Sequence, residues 1–268
     1  MHTSPHQTAD RRLTPAGGVA TAPALSPLSL HVDAASPPAE FRLESRDVGR
    51  ALALWIAALF VADVVTQSLR VFTGHDFGFG MIRLFNMDQE ASVPSWFSVL
   101  LEGACAALLW IIAIETRRAR RPFLGHWVAL AAGFTYISLD EQAQIHDEMI
   151  GVAMEQRFHL PGPLMVFVIP GAIIAVVVLL SFLSFLRHLP KRSRWLFLVA
   201  GVMYVGGAIG MESAGGLMVD HHGWQSWQVA LCELIEETAE MAGVALFVYA
   251  LLEYVERYMR PIAVRLGR

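Results

Sequence analysis

PLMVFVIPGAIIAVVVLLSFLSFLR, Pro163–Arg187, is the stretch that decides the fold: between Pro161 and Leu186 it has no Asp, Glu, Lys or His. At ~1.5 Å rise per residue, a helix of this length covers the ~30 Å hydrocarbon core of a bilayer. A helix that is apolar all round has either a large protein core or lipid as its surroundings. Working outward from it, five further segments pass the length test of ~20 mostly apolar residues. They are Ala51–Phe72, Ser95–Glu115, Leu124–Met149, Trp195–Met218 and Trp227–Tyr254. Their apolarity is continuous instead of striped, which disfavours amphipathic soluble helices. Only helices and closed barrels satisfy their backbone in lipid. The expected fold is therefore all-α, an integral membrane bundle of six transmembrane helices with a disordered N-terminal tail.

Composition agrees. The chain is 55% hydrophobic and 16% charged, with a mean hydropathy of +0.47, whereas soluble domains hold about 25% charged residues. That balance excludes a nucleic-acid binder built on a basic face, an acidic disordered protein and a disulfide-stapled secreted module. Cys105 and Cys232 have no CxxC spacing and read as free buried thiols. Residues 1–47 contain Pro5, Pro15, Pro23, Pro27, Pro37 and Pro38 among small residues, the composition of a disordered tail. The apolar run from Val19 to Leu30 is interrupted by Pro23 and Pro27, so no cleaved secretory signal is expected. The expected organisation is a cytoplasmic tail over 1–47, a six-helix transmembrane domain over 48–258 and a basic cytoplasmic end over 259–268.

Charge in the short connections sets the orientation. Arg117, Arg118, Arg120 and Arg121 follow span two, and Arg187, Lys191, Arg192 and Arg194 follow span four. Arg257, Arg260, Arg265 and Arg268 lie at the C-terminal end, while the other three links hold only Arg83 and Arg157. The positive-inside rule then puts both termini in the cytoplasm of a bacterial inner membrane. Trp96, Trp127, Trp195 and Trp227 fall near span ends, as an aromatic belt requires. Ser95, after Pro94, is the expected N-cap of span two.

Ionisable residues inside a span are costly and mark function by default. Glu141 and Glu212 each lie about 17 residues, or ~25 Å, along spans three and five. Asp140 adjoins Glu141, and His146 and Asp147 follow near the outer boundary. Glu102 lies about seven residues into span two, and Glu233, Glu236, Glu237 and Glu240 about six to thirteen into span six. With the spans oriented as above, all fall in the outer half of the bilayer or at its midplane, although they come from several spans. At ~100° per residue Glu233, Glu237 and Glu240 share one face of span six, with Glu236 to the side.

Carboxylates crowded in low dielectric must hold protons, pair with cations or bind metal. Arg70 and Arg83 are the only nearby basic candidates. Expected metal ligands are Glu141, His146, Glu212, Glu233, Glu237 and Glu240, with Glu102, Asp140, Asp147 and Glu236 as secondary candidates. This donor set suits a divalent ion, Fe, Mn, Zn or Ca. The Glu-x-x-His pair of dinuclear bundle sites is absent, since Gln144 stands three residues after Glu141. The bland alternative is that these acids hydrogen-bond to Tyr136, Ser138, Tyr204, Ser213 or Thr238 and lock helix packing.

MDQEASVPSWFS (Met87–Ser98), SLDEQAQIHDE (Ser138–Glu148) and EETAEMAG (Glu236–Gly243) resemble segments of a group of uncharacterised bacterial multi-pass inner-membrane proteins. The resemblance implies a bacterial inner-membrane setting and joint action of the three segments, and it implies no activity. The functional expectation is a metal site serving a membrane-embedded enzyme that acts on a lipid-like substrate. The alternatives are a cation- or proton-coupled transporter using the same carboxylates and a non-catalytic accessory subunit.

Overall fold

A computed structural model describes residues 44–73, 78–145, 168–223 and 226–259, all within one compact unit, Arg42–Arg268. The described residues form an all-α membrane bundle, with no strand among them. The helices are α1 (Ser45–Thr73), α2 (Met81–Phe85), α3 (Val93–Arg118), α4 (Leu124–Ala143), α5 (Ile169–His188), α6 (Lys191–Val205), α7 (Glu212–His222) and α8 (Trp227–Tyr258). A 3-10 turn, Gly78–Gly80, precedes α2, and a π-helical turn, Gly206–Met211, joins α6 to α7.

Five helical runs are long and apolar enough to cross a membrane: Ser45–Arg70, Val93–Arg118, Ile169–His188, Lys191–His222 and Trp227–Tyr258. The expected third span corresponds to α4, which is 20 residues long. It is not among those five runs, because Asp140, Glu141 and Gln142 occupy its last turns. It also stops earlier than the expected Met149. Gln144 adopts a left-handed conformation (φ 53°) and donates its main-chain N–H to the Asp140 carbonyl at 2.6 Å, which caps the helix. A left-handed residue other than glycine costs roughly 1–2 kcal/mol, so this is an enforced stop.

Helix α8 is the hub, packing against α1, α3, α6, the π turn and α7, while α4 packs on α3. The hub is possible because small residues admit close approach. A Cβ on Gly243 of α8 would sit 2.8 Å from the Tyr204 main-chain nitrogen and 2.9 Å from the Ala200 carbonyl oxygen of α6. One on Gly207 of the π turn would sit 3.0 Å from the Glu236 carbonyl oxygen and 3.1 Å from Glu240 Cγ.

Helix α5 is peripheral, as its unbroken apolarity suggests. Ile173, Ile174, Val176, Val177, Leu179 and Leu180 are all exposed. Its C-terminal end enters the core, where Phe185 meets Trp127 edge-on at 4.8 Å and Phe182 meets His126 at 5.1 Å. Two expectations are corrected here. Trp127 is 3% exposed and belongs to this aromatic core, whereas Trp96, Trp195 and Trp227 stay exposed as belt residues should. The N-cap of α3 is Ser92, whose hydroxyl accepts from the Ser95 main-chain N–H at 3.2 Å, and Pro94 stands inside the first turn. Pro at a helix start gives up only an N–H that has no partner there.

The arginine-bearing ends converge on one end of the bundle. Arg121 Nη1 donates to the Tyr258 carbonyl at 3.2 Å, and the Ser45 hydroxyl donates to Glu256 Oε2 at 2.7 Å. Glu253, 3% exposed, receives Arg192 Nε at 2.6 Å and Arg257 Nε at 2.9 Å. Both arginines are about half exposed and can be rehydrated, while the carboxylate cannot. Arg192→Ala combined with Arg257→Ala, which strands the buried carboxylate, should therefore lower the melting temperature in detergent more than Glu253→Gln does. Equal or reversed effects would remove Glu253 from its bridging role.

Candidate functional site: an intramembrane carboxylate cluster

At the opposite end, α1 is tied to the chain before α3. The Asp63 carboxylate, buried within α1, accepts the Met87 main-chain N–H at 3.3 Å, and Gln67 Nε2 donates to Asn86 Oδ1 at 2.9 Å. The Thr238 hydroxyl of α8 lies 3.5 Å from Met87 Sδ. This connection carries Asp88 over the face of α8, within Coulombic range of Glu233, Glu236 and Glu237.

The ladder on α8 serves two sides. Glu240 lies within Coulombic range of Glu141 and Glu212, and Glu237 within range of Glu141 and Asp88. Glu233 and Glu236 are both in range of Glu212. Glu102 of α3 completes the group, facing Glu141, Glu240 and Asp140. Of the expected residues, the fold thus brings together Glu102, Asp140, Glu141, Glu212, Glu233, Glu236, Glu237 and Glu240. His146 and Asp147 lie outside the described residues. Arg70 is within range of both Asp63 and Glu233 at the rim.

Glu102 is the most informative member. It is 4% exposed, and its Oε2 has no hydrogen-bond partner among the described residues. A buried carboxylate oxygen left unpaired costs several kcal/mol unless a proton or cation joins it. The hydroxyls expected to lock these acids are spent elsewhere. Ser138 donates to the Val99 carbonyl at 3.0 Å, Ser213 to the Ile209 carbonyl at 2.5 Å and Thr238 to the Leu234 carbonyl at 2.7 Å. The packing-only explanation loses those three donors.

The expectation of a preformed metal centre gains no geometric support. Among the described residues no three His, Cys, Asp or Glu side chains come close enough to hold one ion. The acids are near enough to feel one another, yet not convergent on a point. Two members were not among the expected ligands. Asp88 carries a weak signal, being a carboxylate beside the apolar link before α3, but only the fold turns it onto α8. Tyr204, expected only as a hydroxyl that could lock the acids, lies in Coulombic range of Glu240, Glu102, Glu141 and Glu237.

A family described as a domain of unknown function (DUF8692) matches residues 51–254. The chain belongs to that family. No curated protein and no solved structure matches it. Every carboxylate of the cluster, from Asp88 to Glu240, falls within the residues that match DUF8692.

Proposed function

We propose that the cluster is the working centre of a proton- or cation-coupled membrane transporter, and that its acids share and pass protons. The observation that carries this reading is the Glu102 Oε2 atom, buried, without a hydrogen-bond partner among the described residues and within Coulombic range of other carboxylates. Such a group calls for a removable positive charge. The gathering of acids from α3, α4, α7 and α8 within Coulombic range of one or more of the others supports shared protonation across the cluster. A second reading, a divalent-metal site (Fe, Mn, Zn or Ca) serving an enzyme on a lipid-like substrate, draws on the α4 stop at Gln144. That stop immediately precedes His146 and Asp147, two residues that would enlarge the donor set. The basic end formed by Arg117–Arg121, Arg187–Arg194 and Arg257 supports a bacterial inner-membrane setting with both termini cytoplasmic.

Proteoliposomes loaded with a pH-sensitive dye test both readings at once. Under an imposed cation gradient, the full chain should dissipate or generate a pH difference, and Glu237→Gln should bring flux to the level of empty liposomes. Elemental analysis of the same preparations is the second arm. No flux above empty liposomes, together with one or two equivalents of a metal lost in Glu141→Gln and Glu237→Gln, overturns the relay and establishes the metal reading.

A further inference from the structure

Away from the carboxylates, a groove of about 700 Å³ runs between α1 and α8. Its walls are small and apolar: Gly49, Ala53 and Ala57 on α1 face Ala242 and Ala245 on α8. Arg46 and Arg50, both exposed, line its end at the basic pole of the bundle. There the α1 backbone touches Tyr249, since a Cβ on Gly49 would lie 3.1 Å from its ring, and the Tyr249 hydroxyl accepts from Arg192 Nη2 at 3.2 Å. A third guanidinium is thus held beside the mouth. The far end closes at Phe60 and Thr238.

The length fits one occupant. From Gly49 to Phe60 on α1, and from Thr238 to Tyr249 on α8, the groove runs ~16 Å along each helix. That is about half of the ~30 Å hydrocarbon core, the depth of a single leaflet. A slot one leaflet deep, apolar along its walls and arginine-rich at the interfacial end matches an acyl chain below an anionic headgroup. Asp47, paired with Arg50 at 3.4 Å across an exposed surface, is a weak competitor for that guanidinium. We propose that this groove is a binding site for an acidic phospholipid, with an acyl chain between α1 and α8 and the phosphate on Arg46 and Arg50.

The site is tested by native mass spectrometry of the full chain in detergent, titrated with dioleoyl phosphatidylglycerol or dioleoyl phosphatidylcholine. One phosphatidylglycerol should bind about tenfold more tightly than phosphatidylcholine, two arginine–phosphate contacts being worth at least that. Arg46→Gln combined with Arg50→Gln should erase the preference and leave phosphatidylcholine binding unchanged. Ala53→Phe, and independently Ala57→Phe, should reduce binding of both lipids by filling the slot. Both positions are exposed, and unchanged helical circular dichroism identifies variants that remain folded. Equal affinity for the two lipids overturns the proposal, as does affinity untouched by every variant. A doubled mass abolished by Ala53→Phe would give the groove to a second copy. Lipid binding that appears only after deletion of residues 1–43 would give it to the tail. Either result also overturns the proposal.

Discussion

Glu102→Gln should abolish dye-reported proton flux in proteoliposomes while leaving the melting temperature in detergent at or above that of the parent protein. The two halves of this result follow from one fact. Glu102 is buried in α3 with an Oε2 atom that accepts no hydrogen bond among the described residues. Exchanging a carboxyl for an isosteric amide removes a group whose charge is expensive in that place, so stability holds or improves. The same exchange removes the protonatable atom, so a relay through Glu141 and Glu240 stops. A group kept at a cost to stability is the signature of a working residue. If Glu102 served packing alone, the outcome would invert, with a lowered melting temperature and flux intact.

The largest structural effect is expected from Gly243→Ala. The new methyl would lie 2.8 Å and 2.9 Å from main-chain atoms of Tyr204 and Ala200, which cannot rotate aside as a side chain could. Overpacking of this kind costs about 1–3 kcal/mol, a fall of several degrees in melting temperature for a chain of this size. Flux should fall as well, because the contact that opens also holds Tyr204 and Gly207 against the acid ladder of α8. Gly201→Ala is the control. Nothing lies within 4 Å of its added Cβ, and alanine is the better helix former, so its melting temperature should stay level or rise slightly. Equal melting of the two variants would show that the α6–α8 contact tolerates the extra volume.

What could be read from the sequence was governed by depth and polarity. The uninterrupted apolarity of Pro163–Arg187 left protein core or lipid as its surroundings, and α5 takes the lipid-facing place, with Ile173 to Leu180 facing outward. The heights of Glu102, Glu141, Glu212 and the α8 acids along their helices put them at one depth, and the structure links them in pairs, with Glu102 in Coulombic range of Glu141 and Glu240 and Glu212 in range of Glu236 and Glu240. What could not be read depends on the relative rotation of neighbouring helices. Whether Trp127 faces lipid or Phe185, and whether Asp88 folds over α8, are facts of tertiary approach that linear spacing does not carry. A break near Ser138 or Gln144 was open to the sequence, but its left-handed form was not, because glutamine is not a residue that favours a left-handed turn. The π turn at Gly206–Met211 lies within a glycine-rich stretch that reads as close packing, and the extra residue in its turn leaves no mark in hydropathy.

The peripheral position of α5 has a physical corollary. Among the described residues, α5 is held chiefly by its last turns at Phe182 and Phe185, so the surrounding bilayer takes a larger part in setting its tilt. Its 20 residues amount to ~30 Å of apolar rod, and membranes differ from one another in thickness by a few ångströms. Membrane thickness thereby acts on this fold as a mechanical variable. A change in bilayer thickness is expected to change the tilt of α5 more than that of the helices packed around α8.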